Sequence, residues 1–444
     1  MGVSTDSRAG GPAAERDELA RHLEEARART LRLLDPISDA DQRAQHSPLM
    51  SPMVWDLAHV ANYEELWLLR AIDGRQPVDT QLDDMYNAFE HPRTERPSLP
   101  LLEPAEARRY AADTRAGVLS LLSETDLASQ RLTRDGFVYR MVVQHEHQHD
   151  ETLLATRQLM LDRCPALVDP APAPQPGSVP GSGEVLVPAG PFEMGTSTDA
   201  WAYDNERPAH IIELDDFCID ASPVTNEDYE RFIAGGGYDD PAVWTEKGWK
   251  WRQEEGLEHP LFWRATSHGW ERLRFGTWAP LDPREPVEHV CWYEADAFAR
   301  WSGKRLPTEA EWEKAATWDD AACRKRLYPW GDEPHRPALA NLGGVLDGPS
   351  PVGSHPEGIS LSGCHQLIGD VWEWTSSDFG PYPGFEAYPY AEYSEVFWGG
   401  EYKVLRGGSW ATHPTATRGT FRNWDYPIRR QIFAGFRCAR SPEA

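Results

Sequence analysis

The stretch HEHQHDETLL, residues 145–154, sets three histidines within five positions of a 444-residue chain that has 15 in all. On a helix, residues four apart lie one turn apart on one face. His145 and His149 therefore point together. His147 lies about 200° around the axis from His145 and points away. Two imidazoles at this spacing can hold one first-row metal ion, or they form a polar helix face. A third candidate ligand is His59 in VWDLAHVANYEELWLL. It sits among apolar residues expected to face a core, where a histidine is either hydrogen-bonded or a ligand projected from a facing helix. Three neutral imidazoles would leave positions open on a five- or six-coordinate ion. That suits a non-haem Fe(II) centre binding substrate and O₂ together, a relative of the two-His, one-carboxylate arrangement. Zinc is the rival metal, although closed zinc sites usually contain Cys and none lies nearby in the sequence. Asp150 and Glu151 are alternative carboxylates. Glu151 faces away from His149 and suits a supporting role better.

The elements that must carry these residues are helical. ERDELARHLEEARARTLRLL spaces Leu19, Leu23, Ala26, Thr30 and Leu33 along one face, with Asp35 and Pro36 as a stop. SPMVWDLAHVANYEELWLLRAI opens with Ser51 as an N-cap and Pro52 in the first helical position. PAEARRYAADTRAGVLSLLSE begins at Pro104, and FVYRMVVQHEHQHDETLLATRQLML is a fourth helix. Residues 16–163 thus predict an antiparallel four-helix bundle. The connection over 79–104 contains four prolines and is long enough to suggest that it covers a site.

Residues 164–183 read as a Pro/Gly-rich linker and domain boundary. Residues 184–440 change character. EVLVPAGPFEMGT alternates like a strand. Helices are expected at TNEDYERFI, capped by Thr225 or Asn226, at EADAFARWSG, and at TEAEWEKAA with a Thr308–Glu311 capping box. The remainder is rich in Trp, Gly and Pro, and most of the 19 Trp lie here. A compact α+β domain held by large aromatics follows.

Composition narrows the function. A net charge of −27 repels phosphate backbones and anionic membranes, so nucleic acid and lipid surfaces are not expected partners. The six cysteines form no CxxC pair, which fits reduced thiols in a cytoplasm. Neither a signal peptide nor an apolar run long enough for a membrane helix is evident.

The segments PVTNEDYERFI, GKRLPTEAEWEKAA, YPWGD, GDVWEWTSS, VLRGGSW and AGFRCAR resemble, in this order, the formylglycine-generating enzyme/sulfatase-modifying fold, a C-type-lectin-like architecture. The first half resembles the DinB-like four-helix family through SPMVWDLAHVANYEELWLL and HEHQHDETLL. Together they resemble the ergothioneine-pathway sulfoxide synthases, which join a thiol to C2 of the hercynine imidazole using Fe(II) and O₂. The resemblance implies iron ligands at His59, His145 and His149, through the pattern H-x3-H-x-E ending at Glu151. It implies Tyr390 as proton donor and Tyr393 in substrate binding, from the Y-x-x-Y segment Tyr390–Tyr393; by themselves the tyrosines at 382, 388, 390 and 393 read as packing. It further implies that Arg93 and Arg96 hold the carboxylates of γ-glutamylcysteine and that Asp425 meets its amino group. A quaternary ammonium favours aromatic faces, for which Trp424 and Tyr393 are candidates, with Gln148 near the betaine and Asn423 at the hercynine carboxylate. The bundle would supply iron and the second half substrate contacts, with the site where they meet. Formylglycine generators carry a reactive Cys pair near the C-terminus. Here residues 411–436 contain no Cys, and Cys438 is alone, so peptide-cysteine oxidation is not expected. A relative using free cysteine or a selenium donor, and a metal-binding protein without turnover, are the alternative readings.

Overall fold

The computed structural model describes residues 11–167, 171, 172, 174 and 183–442, so most of the expected linker lies outside the described residues. The chain divides into two compact units, Met1–Met160 and Leu161–Ala444.

In the first unit, helices α1 (Pro12–Leu34), α3 (Met53–Glu64), α5 (Pro104–Glu124) and α6 (Phe137–Gln158) form the bundle, with short α2 (Asp39–Arg43) and α4 (Thr80–Met85) between them. α3 packs on α5 and α6, and α1 packs on α6. Leu19, Leu23, Ala26 and Thr30 of α1 are buried as the spacing predicts. The last buried position is Leu34 rather than Leu33, because the four-residue step from Thr30 stays in line with the stripe. α3 begins one residue later than expected, with Pro52 as the flanking residue. Ser51 does not cap it; its hydroxyl instead accepts a hydrogen bond from Arg96 Nη1 at 2.7 Å. The expected end of this helix, Glu65–Arg70, is wound as a π-helix, a form that often accompanies functional sites.

The bundle interior is not wholly apolar. Arg27 and Arg115 each donate to both Glu64 and Glu146, and all four side chains are buried. Sequence periodicity reads such residues as solvated faces. Here each charge has an opposite charge and hydrogen-bonding partners, the condition under which buried ions persist.

The second unit contains β1 (Glu184–Val187), β2 (Gly190–Met194), β3 (His210–Leu214), β4 (Phe217–Asp220), β5 (Trp263–Thr266), β6 (Gly269–Arg274), β7 (Thr277–Pro280), β8 (Trp318–Asp319), β9 (Arg324–Lys325), β10 (Trp372–Asp378), β11 (Lys403–Arg406), β12 (Asn423–Asp425), β13 (Ala434–Gly435) and β14 (Ala439–Arg440). They form small sheets ordered β1-β4-β14, β12-β11-β10-β13, β2-β3, β5-β6-β7 and β8-β9. Pairing is antiparallel except between β10 and β13. The helices are α7 (Asn226–Ala234), α8 (Glu246–Glu255), α9 (Trp292–Trp301) and α10 (Glu309–Thr317). Thr225 caps α7, and the Thr308–Glu311 box caps α10. α8, capped by Thr245, is not apparent in the sequence because its apolar residues make no continuous stripe.

Large aromatics hold this irregular unit together. Trp312, Trp374 and Trp410 are fully buried, and each indole N–H has an acceptor: Glu373, the Val290 carbonyl and Glu288. A buried indole needs such a partner. Each of these bonds therefore ties a loop to the core.

Candidate metal centre and substrate residues

His59, on α3, and His145 and His149, on α6, offer ring nitrogens that all lie within 4.8 Å of one another. The fourfold spacing on α6 aligns the latter pair, and packing of α3 on α6 brings the third. His59 Nδ1 donates to the Tyr86 carbonyl at 2.7 Å. His149 Nδ1 donates to Asp56 Oδ1 at 2.9 Å. Each bond fixes the ring and leaves Nε2 as the available donor atom, the usual arrangement behind metal-ligating histidines. Burial, and then the neighbouring imidazoles, hold the His59 and His145 pKa values well below the ordinary range. Both rings are therefore neutral near pH 7, the form that binds metal. The donor set and its hydrogen bonds fit a metal ion with positions left open.

Aromatic rings brace the trio. Trp55 stacks on His59 with centroids 4.6 Å apart, and Tyr63 stacks on His145 at 3.8 Å. The Trp55 indole donates to the Met85 carbonyl, and the Arg96 guanidinium lies 3.6 Å from the Trp55 ring centre. The proline-rich connection thus contacts the site through Met85, Tyr86 and Arg96. Asp56, Trp55 and Tyr63 went unflagged in the sequence, although Asp56 and Tyr63 stand three before and four after His59, on its helix face.

His147 does not join the trio. It is buried on another side of α6, with Nδ1 3.1 Å from Asp150 Oδ2. Asp150 also accepts from Thr30 of α1 at 2.7 Å. This third histidine of the motif belongs to the polar packing of α6 against α1. Burial raises the Asp150 carboxyl to about 7. Glu151 is half-buried and lies near Arg29, while Asp56 supplies the carboxylate at His149. Gln148 is half-buried, three residues from His145.

Arg93 is half-buried and donates to the Leu49 carbonyl at 2.7 Å. Arg96 is buried, and each of its guanidinium nitrogens donates within the unit, to Ser51, His91 and Ala88. The two arginines expected to act as a pair therefore stand in different surroundings.

The remaining candidates lie in the second unit. Tyr390 precedes and Tyr393 ends a single 3-10 turn, Ala391–Tyr393, with ring centres 6.2 Å apart. Tyr393 meets Trp424 edge-on at 5.9 Å, and Trp424 stacks flat on Phe379 at 4.1 Å. Asn423, Trp424 and Asp425 form edge strand β12, paired to β11. Alternation along a strand puts Asn423 and Asp425 on the face opposite Trp424. Asp425 Oδ1 accepts from Arg429 Nε at 3.2 Å, and Asn423 Oδ1 accepts from the Trp424 N–H at 2.9 Å. Cys438 is fully buried, and burial raises its thiol well above the ordinary range. It is a packed thiol, not a reactive one.

Residues 169–442 match the sulfatase-modifying factor enzyme 1-like domain, and residues 22–153 match the DinB superfamily. Over 96% of this chain, the sequence is 49% identical to the hercynine oxygenase of Mycolicibacterium thermoresistibile, of which 95% is covered. The hercynine oxygenase of Mycolicibacterium smegmatis is 48% identical over 96% of this chain and 99% of its own length. That of Mycobacterium tuberculosis is 48% identical over 95% of this chain and 98% of its own. A formylglycine-generating enzyme of Streptomyces coelicolor is 31% identical over 63% of this chain and 95% of its own length.

Proposed function

The chain belongs to the hercynine oxygenase family, and from that premise we propose that it is an Fe(II)-dependent sulfoxide synthase joining hercynine to γ-glutamylcysteine. The observation that carries the reading is the convergence of His59, His145 and His149 in a chain matching these relatives over nearly its whole length. The overall conversion is RSH + R′H + O₂ → RS(O)R′ + H₂O. A carbon–sulfur bond forms at C2 of the imidazole, one oxygen atom ends on sulfur and the other leaves as water. Bound iron would relay electrons from the two substrates to O₂ and would give thiolate and imidazole a common anchor.

The protein's own groups do the rest. Asp56 and the Tyr86 carbonyl keep two ligand rings turned toward one point. Gln148, Asn423, Trp424 and Tyr393 hold hercynine, the aromatic faces accepting its quaternary ammonium. Arg93 and Arg96 bind the carboxylates of the thiol substrate and Asp425 its ammonium group. Tyr390 delivers a proton as oxygen is reduced; a phenol is neutral at pH 7 and can donate.

The test is oxygen uptake and product mass for Fe(II)-loaded protein given hercynine with a panel of thiols. Coupled uptake with γ-glutamylcysteine is the expected result. Coupled product with free cysteine instead overturns the thiol assignment, and absence of uptake with every thiol overturns the enzymatic reading. In parallel, His145→Ala is expected to lose most bound iron; full retention removes it from the ligand set.

A further inference from the structure

The tyrosine-bearing loop has no strand or long helix to fix it, and a second turn, Tyr203–Glu206, does so. Asp204 Oδ2 accepts the Tyr388 backbone N–H at 3.1 Å. Its Oδ1 accepts the Ser394 hydroxyl at 2.6 Å. One carboxylate thus joins the two ends of the seven-residue stretch with Tyr390 inside it. Asn205 Nδ2 adds a bond to Ser394 Oγ at 3.3 Å, and Tyr203 stacks on Tyr393 at 4.4 Å. Asp204 and Ser394 are both buried.

The same turn grips the segment leading into β12. The Asn205 carbonyl accepts from Arg422 Nη1 at 2.8 Å. Glu206 accepts from Arg418 and from Thr420, the latter at 2.7 Å. A single short element therefore holds the loop of Tyr390 and Tyr393 in register with Asn423, Trp424 and Asp425. Burying a carboxylate is unfavourable unless its oxygens are satisfied; burial here raises Asp204 to about 6 against the opposing pull of Ser394. Both oxygens are spent on the loop.

We propose that Asp204 is a positioning residue for the reaction, closing the Tyr388–Ser394 loop so that the Tyr390 phenol is held for proton delivery. The inference rests on Tyr390 being the proton donor. Displacement of a reacting group by about 1 Å can cost roughly 100-fold in rate, so a tethered loop is required for such a role.

The experiment compares Asp204→Ala, Ser394→Ala and Tyr390→Phe in the full-length, Fe(II)-loaded protein. Four quantities are read: iron content, melting temperature, hydrogen exchange of residues 385–398, and the ratio of sulfoxide to oxidised thiol. Asp204→Ala and Ser394→Ala are expected to speed exchange in that segment and keep iron. Their kcat for sulfoxide is expected to fall about 10- to 100-fold with little change in the KM for hercynine, and their product ratio to shift as in Tyr390→Phe. Asp204→Asn, which retains one carbonyl acceptor, is expected to lie between. If exchange or product ratio stays at the wild-type value in both loop variants while Tyr390→Phe shifts the ratio, the clamp is overturned and the proton-donor reading stands. If Tyr390→Phe leaves the ratio unchanged, the proton-donor reading and the clamp fall together.

Discussion

At the scale of single residues, Asp56 shows how much the proposed metal centre would depend on atoms that never touch the metal. Its carboxylate accepts a hydrogen bond from His149 Nδ1 at 2.9 Å, which fixes the tautomer and turns Nε2 outward. Loss of such a partner typically weakens metal affinity about 10- to 100-fold. Asp56→Ala is therefore expected to raise the iron Kd by that factor while His149 remains; a competition titration with a chelator measures it, and an unchanged Kd removes the carboxylate from this role. Arg93 and Arg96 separate in the same way. Arg96 is enclosed and bonded on every guanidinium nitrogen, whereas Arg93 is half-buried and donates to the Leu49 carbonyl. A charge-assisted hydrogen bond contributes about 1.5–3 kcal/mol. Arg93→Ala is thus expected to raise the KM for γ-glutamylcysteine roughly 10- to 100-fold with the KM for hercynine little changed. Steady-state kinetics with each substrate varied in turn decides this, and equal effects on both would end the selectivity assignment.

At the scale of elements, the face of α6 that carries His145 and His149 is backed by an ionic one. Glu146 follows His145 directly and is bound by Arg27 of α1 and Arg115 of α5. The same arginines reach Glu64 on α3, so one cluster ties all four long helices. Removing one partner from a buried ion group leaves an uncompensated charge and costs about 3–5 kcal/mol. Arg115→Met is expected to destabilise the bundle by this amount, seen as a lower melting transition of the first unit in calorimetry. A shift within error would mean the charges are not buried as a unit. The helices themselves were legible, because the apolar stripe of α1 and the Thr308–Glu311 box of α10 act through neighbours in sequence. α8 was not, having no stripe to read, and neither was the π-helical end of the α3 segment, since local spacing does not distinguish the two windings.

At the scale of the whole molecule, the two units solve the burial problem differently. The bundle uses helix faces, whereas the second unit uses buried indoles whose N–H groups reach charged or carbonyl acceptors. One of these acceptors, Glu288, is raised to about 7 by burial, against the pull of Arg274 and the Trp410 N–H. A carboxyl with a folded-state pKa above its ordinary 4.5 contributes stability that is fully present below pH 4.5 and lost as pH rises through about 7. Glu288→Gln keeps the acceptor and cannot ionise. The variant is expected to gain stability relative to the parent between pH 4.5 and 7.5, and parallel melting curves across that window would count against it. The sequence by itself determined the two-part plan, the long helices, the capping boxes and the shared face of His145 and His149, because each follows from contacts between near neighbours along the chain. Only the tertiary structure decided that His59 reaches that pair, that Asp56 and the Tyr86 carbonyl orient the rings, that His147 turns into the packing of α6 on α1, and that Asp204 closes the tyrosine loop. Those contacts join residues far apart in the chain, and periodicity holds no record of which distant side chains packing will bring within hydrogen-bond reach.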